Sequence, residues 1–339
     1  MKKNQIKNCK IVIIGGAGFI GHNLGLHLKS MGAEVSIIDG LEVNNLASLD
    51  KNKNLLPYPQ LAKKIINERL NLLKKAKVPL IIQDARKYHE LSKLLNELKP
   101  KIIIHLAAVS HANRSNKDPH STFDHSLRTL ENALDNAKKG IEHFIFLSSS
   151  MVYGNFKSDG VDEKSNCDPL GIYGALKFAG EKIILSYNQV FKLPYTIIRP
   201  SALYGERCIS RRVGQVFIEN ALNGKEIEIS GDGSEKLDFT YIQDLVDGLT
   251  SVIENPESKN QIFNMTFGNA RSINDMLKIT KKYFPNISVR YKSRDKLMPK
   301  RGTLSIKKAK SILGYSPKWS LDKGYLRYIK WYKELYEKN

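Results

Sequence analysis

Short, β-branched apolar runs recur through the first two hundred residues: Ile11 to Ile14, Val35 to Ile38, Leu80 to Ile82, Ile102 to Leu106, Phe144 to Leu147 and Tyr195 to Ile198. None alternates apolar with polar, so they read as strands covered on both faces, the habit of a parallel sheet. Between them apolar positions fall at helical spacing, as in Leu91, Leu94, Leu95 and Leu98, and again in Leu127, Leu130, Ala133, Leu134 and Ala137. This alternation predicts a doubly wound parallel α/β domain over residues 1–200. After Gly205 the elements become shorter and mixed, which predicts a smaller C-terminal α/β domain over residues 201–339, partly interleaved with the first. The connection from about 43 to 79 is long for a crossover. Within it Gln60 to Lys77 is amphipathic and basic, and reads as an inserted helix with a solvated lysine face. Leu321, Tyr325, Tyr328, Ile329, Tyr332 and Leu335 form the stripe of a terminal helix packed on the small domain.

Charge adds a question. The 339 residues hold 54 basic and 34 acidic side chains, a formal +20, a balance that suits phosphate, nucleic acid or an anionic membrane. It is uneven: residues 1–150 carry +10, 151–270 carry −4 and 271–339 carry +14. An acidic middle argues against a nucleic-acid surface along the chain, and the basic end suits a small anionic substrate with most lysines solvated. Cys9, Cys167 and Cys208 are too far apart for a disulfide framework and lack zinc-ligand spacing, so a reducing, cytoplasmic setting and no metal are expected. The N-terminal lysines and apolar stretch imitate a signal peptide, but the stretch carries four glycines and reads as a strand and turn. No run of 18 apolar residues exists, so no membrane role is expected.

Candidate chemistry begins after the first strand, with Gly15, Gly18 and Gly21 opening helix-compatible residues His22 to Met31. Gly15 permits a tight turn, Gly18 lets backbone N–H groups approach a pyrophosphate at a helix N-terminus, and Gly21 allows close helix–strand packing. The second strand ends in Asp39, which would accept hydrogen bonds from ribose hydroxyls and repel a 2′-phosphate, so NAD is expected over NADP. Tyr173 and Lys177 lie four residues apart and share a helical face. A free phenol titrates near ~10, and a neighbouring ammonium would make it a usable general base. Ser148, Ser149 and Ser150 follow the strand Phe144 to Leu147, at a carboxyl end where open α/β sheets bind ligands.

With these features in this order, the chain resembles the extended short-chain dehydrogenase/reductases, in particular the NAD-dependent sugar epimerase/dehydratase family. Further matches are Asp84, His105-Leu106-Ala107-Ala108, Arg199-Pro200 through Tyr204-Gly205, Asp238-Phe239-Thr240-Tyr241 and Gly314-Tyr315-x-Pro317, spanning nearly the whole chain. The resemblance implies a Rossmann domain, a C-terminal nucleotide-sugar domain and a homodimer. It implies that NAD lies against Gly15, Gly18, Phe19, Ile20, Gly21, Asp39, Asp84, Ala85, Leu106, Ala107 and Ala108, with Tyr173 and Lys177. Ser149, Tyr173 and Lys177 would be catalytic, Tyr173 taking a proton from the sugar's C4 hydroxyl while hydride moves to NAD and Lys177 lowering the tyrosine pKa. Ser150-Met151 stand where family 4,6-dehydratases place an acid pair, and no cysteine follows the serines as in 3,5-epimerases, so 4-epimerisation leads. A net C4 dehydrogenase, a 4-ketoreductase or a dehydratase is the alternative. Family residues for the diphosphate are replaced by Ala202 and Leu237, so Arg207, Arg211, Arg212 and Arg301 become candidates. Ser110, His111 and Ser150 are candidates for the sugar, and His105 reads as a packed residue.

Overall fold

The structure, a computed structural model, describes residues 5–51, 57–109, 112–138, 140–295 and 297–337. The apolar runs form β1 (Lys10–Ile14), β2 (Glu34–Asp39), β3 (Leu80–Ile82), β4 (Ile102–His105), β5 (His143–Leu147) and β6 (Tyr195–Arg199). A seventh strand, Gln261–Asn264, returns from the second half of the chain to pair with β6. Across the sheet the order is Gln261–Asn264, β6, β5, β4, β1, β2, β3, and every pairing is parallel. The fold is thus α/β with a Rossmann sheet whose strand order reverses between β1 and β4, the crevice where open sheets bind ligands.

Every residue of β4, β5 and β6 is buried, which is why these runs do not alternate. Alternate side chains of β1 feed two cores: Ile11 and Ile13 pack with Leu24, Leu28 and Leu245, while Val12 and Ile14 pack with Leu91, Leu130 and Leu134 on the other face. Burying such a side chain contributes roughly 1.5–3 kcal/mol. The C-terminal stripe is buried on helix Leu321–Glu337, which packs on helices Ile273–Tyr283 and Val213–Leu222. Among the described residues no helix is long and apolar enough to cross a membrane.

The inserted helix runs Pro59–Lys75 and buries Leu61, Ile65, Ile66 and Leu73. Lys63, Lys74 and Lys75 are exposed, whereas Arg69 lies on the buried face and is 1% exposed.

Candidate active site

Loops at the carboxyl ends of β1, β2, β3 and β4 line one cleft. Gly15 has φ +78°, and a Cβ there would lie 2.6 Å from Ala107 N, so no side chain fits. At Gly21 a Cβ would lie 2.4 Å from Gly16 Cα, which lets the helix Phe19–Ser30 start directly against the loop. Gly18 differs: a Cβ would meet only Gly15 O, at 3.4 Å, leaving open space over the loop backbone. Asp39 accepts hydrogen bonds from Ala17 N at 2.9 Å and Leu41 N at 2.7 Å, tying the loop to the end of β2. Burial pushes its carboxyl up and these N–H groups pull it back. Each carboxylate oxygen keeps a lone pair for a ribose hydroxyl. An open glycine loop at a helix N-terminus beside an acidic strand end fits a dinucleotide. Gly15, Gly18, Phe19, Ile20, Gly21, Asp39, Asp84, Ala85, Leu106, Ala107 and Ala108 all line this cleft. Asp84 is held by Arg86, whose guanidinium lowers its pKa against the opposing effect of burial. Asn132, which the sequence did not single out, fixes the chain here by donating to Ala85 O and Arg86 O, both at 2.9 Å.

The adjoining cavity, of about 440 Å³, opens at the end of β5. Ser149 caps the short turn Ser150–Tyr153 by accepting from Met151 N at 3.2 Å. Tyr173, in the first turn of helix Gly171–Phe191, lines the same cavity as Ser149. Burial pushes its phenol up, opposed by the Arg212 charge and the Ser149 hydroxyl. Lys177 stands one turn on, its Nζ donating to Leu147 O at 2.6 Å over the Phe146 ring. Burial lowers its pKa to about 8. The Lys177 ammonium is held on the strand's last carbonyl, while the Arg212 charge favours the phenolate.

A buried polar chain underlies these groups. Ser148 donates to Glu181, Glu181 pairs with Arg199 at 2.9 and 2.6 Å, and Arg199 donates to Tyr153 OH at 2.9 Å. Tyr153 in turn donates to Asn264 Oδ1 at 2.8 Å. Glu181 lies one turn beyond Lys177 on the same face, a spacing that could have flagged it. Asn264 is reached only through the seventh strand.

Ser149, Ser150, Tyr173 and Lys177 line one part of the cavity, with Arg211, Arg212, Arg301, Leu237 and Phe239 among its other walls. Arg211 pairs with Glu219 at 2.8 Å. Arg301 Nε is buried with no hydrogen-bond partner among the described residues, and burial lowers the group's pKa to about 10. The structure places Arg207 elsewhere, on Glu68 at 3.1 Å and His22 Nε2 at 3.2 Å. The chain turns it away because Arg207, at φ +66°, has its carbonyl bound by Arg69. Ser110 and His111 lie outside the described residues. His105 is buried between Phe144 and Phe146, and burial lowers its pKa to about 3. No group of His, Cys, Asp and Glu able to hold a metal occurs among the described residues.

The model of the NAD dependent epimerase/dehydratase family matches residues 11–266. A protein of Bacillus subtilis named as an uncharacterized UDP-glucose epimerase is 30% identical over 341 residues, covering 97% of this chain and 99% of its own. A putative UDP-glucose 4-epimerase of Methanocaldococcus jannaschii is 30% identical over 330 residues, 95% of this chain and 98% of its own. Among solved structures, a UDP-glucuronic acid 4-epimerase from Bacillus cereus, in complex with UDP-glucuronic acid and NAD, superposes with a TM-score of 0.85 at 27% identity, covering 96% of this chain and 99% of that one.

Proposed function

The chain belongs to the NAD-dependent epimerase/dehydratase family, and on that premise we propose that it interconverts the C4 epimers of a UDP-linked sugar. It is an NAD-dependent nucleotide-sugar epimerase; the uridine base follows from what its relatives are named for. The observation that carries the reading is a shared wall: Ile20, Leu106, Ala108, Leu203 and Arg212 line both the dinucleotide cleft and the cavity holding Ser149 and Tyr173.

When bound, NAD supplies a site that takes a hydride from the sugar carbon and returns it. The residues lining the first cleft would hold it, and Lys177 would reach its ribose hydroxyls. Tyr173 takes the proton of the C4 hydroxyl as the carbon is oxidised, and gives it back when the ketone is reduced. Ser149 hydrogen-bonds the reacting oxygen and the Tyr173 phenol. Arg212 stabilises the phenolate by its charge. Arg211, Arg212 and Arg301 hold the diphosphate, Ser150 the sugar. Between the two half-reactions the keto sugar turns and presents its other face, so proton and hydride both return and there is no net redox change. Ser150-Met151 offers no acid to expel water, which disfavours dehydration. In this reading residues 1–200 bind the cofactor and residues 201–339 the nucleotide sugar, in a cytoplasmic homodimer. Phe123 remains exposed on a short helix that packs against the Tyr173 helix, and is available to a second copy.

The test is incubation with UDP-glucose and UDP-glucuronate, with products separated by chromatography. The expected result is a mixture of C4 epimers with no rise in reduced-nicotinamide absorbance. Accumulation of reduced cofactor, or a dehydrated sugar, contradicts it.

A further inference from the structure

The insertion and Arg207 have no part in the reaction just described, yet they meet. Arg69 of the inserted helix donates from Nε to Arg207 O at 2.8 Å, from Nη2 to the same carbonyl, and from Nη1 to Asn44 O at 3.4 Å. It shares the wall of the dinucleotide cleft with Asp39. The Arg207 side chain reaches back to Glu68, its neighbour on the insertion, and to His22 on the phosphate-loop helix. His22 Nε2 accepts from Arg207, so Nδ1 carries the proton and donates to Gly18 O at 2.9 Å. Burial, aided by the Arg69 charge, holds His22 neutral, far below its ordinary pKa. Asn45 Nδ2 donates to Ala17 O at 3.3 Å.

Two consecutive carbonyls of the glycine loop are therefore held from the insertion. Ala17 is held directly, and Gly18 through His22, Arg207 and Arg69. Holding these carbonyls fixes the course of the loop backbone that lines the cleft at Gly15 and Gly18. At the other end of the chain of bonds, Arg207 sits in the left-handed region at φ +66°, a conformation that disfavours a non-glycine residue. Its carbonyl is held there by Arg69. Four and five residues further on, the same segment delivers Arg211 and Arg212 to the substrate cavity.

We propose that Arg69 and Arg207 are positioning residues that tie the cofactor's phosphate loop to the arginine-bearing segment 205–212, so that dinucleotide and nucleotide diphosphate hold each other in place. This rests on the NAD reading above. Linkage makes the effect reciprocal: if the diphosphate steadies the segment, it steadies the glycine loop by the same free energy and slows cofactor release.

The experiment measures the rate at which NAD leaves the loaded protein, with and without UDP, in the wild type and in Arg69→Met, Arg207→Met and Glu68→Gln. In the wild type UDP slows release about fivefold or more, the low end of ordinary coupling. In Arg207→Met the two rates converge, and Glu68→Gln narrows the gap. Arg69→Met releases NAD about tenfold faster even without UDP, and Arg207→Lys restores part of the coupling. Should Arg69→Met fail to fold, Arg207→Met and Glu68→Gln decide the matter alone. Variants that melt like the wild type and keep its full response to UDP overturn the proposal, as does a wild type whose NAD release ignores UDP. A wild type that holds no NAD at all overturns the NAD reading, and the coupling with it.

Discussion

Single residues at this site were legible where their function is local in sequence. Gly15, Gly18 and Gly21 announce a loop because the constraint, backbone approach within a few residues, is written in the spacing. Asp39 follows because it closes the adjacent strand. The arginines were not legible in this way. Arg207 and Arg211 are near neighbours, yet one pairs with Glu68 and the other with Glu219, partners 139 and 8 residues distant. Arg69 drew no attention among the basic residues of its helix, because nothing local records that carbonyls from Arg207 and Asn44 await it. Glu181 shows what such a hidden partner is worth. It is 1% exposed and holds both Arg199 and Ser148. Glu181→Gln leaves the Arg199 charge buried without its counter-ion, and breaking a buried pair costs about 3–5 kcal/mol. Chemical denaturation of the variant is expected to show a loss in that range, accompanied by lost activity. A loss under ~1 kcal/mol would show that the network beneath the serines is dispensable.

The elements that build the sheet were legible because burial on both faces leaves uninterrupted β-branched runs, and β1 to β6 coincide with those runs. Gln261–Asn264 escaped for a plain reason: it is four residues long, begins and ends on amides, and lies among short mixed elements. Its place at the sheet's edge is decided by β6, not by its own composition. What the sequence also could not show is how tightly two elements abut. A Cβ on Gly174 would lie 2.8 Å from Met151 O, so the Tyr173 helix starts in contact with the turn that Ser149 caps. Gly174→Ala pushes that helix off the turn and separates Tyr173 from Ser149. Since a displacement near 1 Å can cost about 10²-fold in rate, kcat is expected to fall about tenfold or more while NAD remains bound. Unchanged kcat in steady-state assays would mean that the Ser149–Tyr173 contact does not set the rate.

For the whole molecule, the +20 charge resolves by location. Basic residues of the second half, Arg211, Arg212 and Arg301, converge on the cavity that adjoins the dinucleotide cleft, whereas Lys278, Arg290 and Lys292 spread over the surface. The two cavities share a wall, and Tyr173 with Ser149 lies in the second one. That arrangement makes one claim above the rest: the hydrogen on C4 leaves and returns within the site, without exchange with solvent. The most direct test uses a UDP-sugar deuterated at C4, with the epimeric products analysed by nuclear magnetic resonance. The account predicts that both epimers keep deuterium at C4 and that Tyr173→Phe slows their interconversion by about 10²–10⁴-fold. Deuterium lost to water, or epimers formed at the wild-type rate without Tyr173, would contradict it.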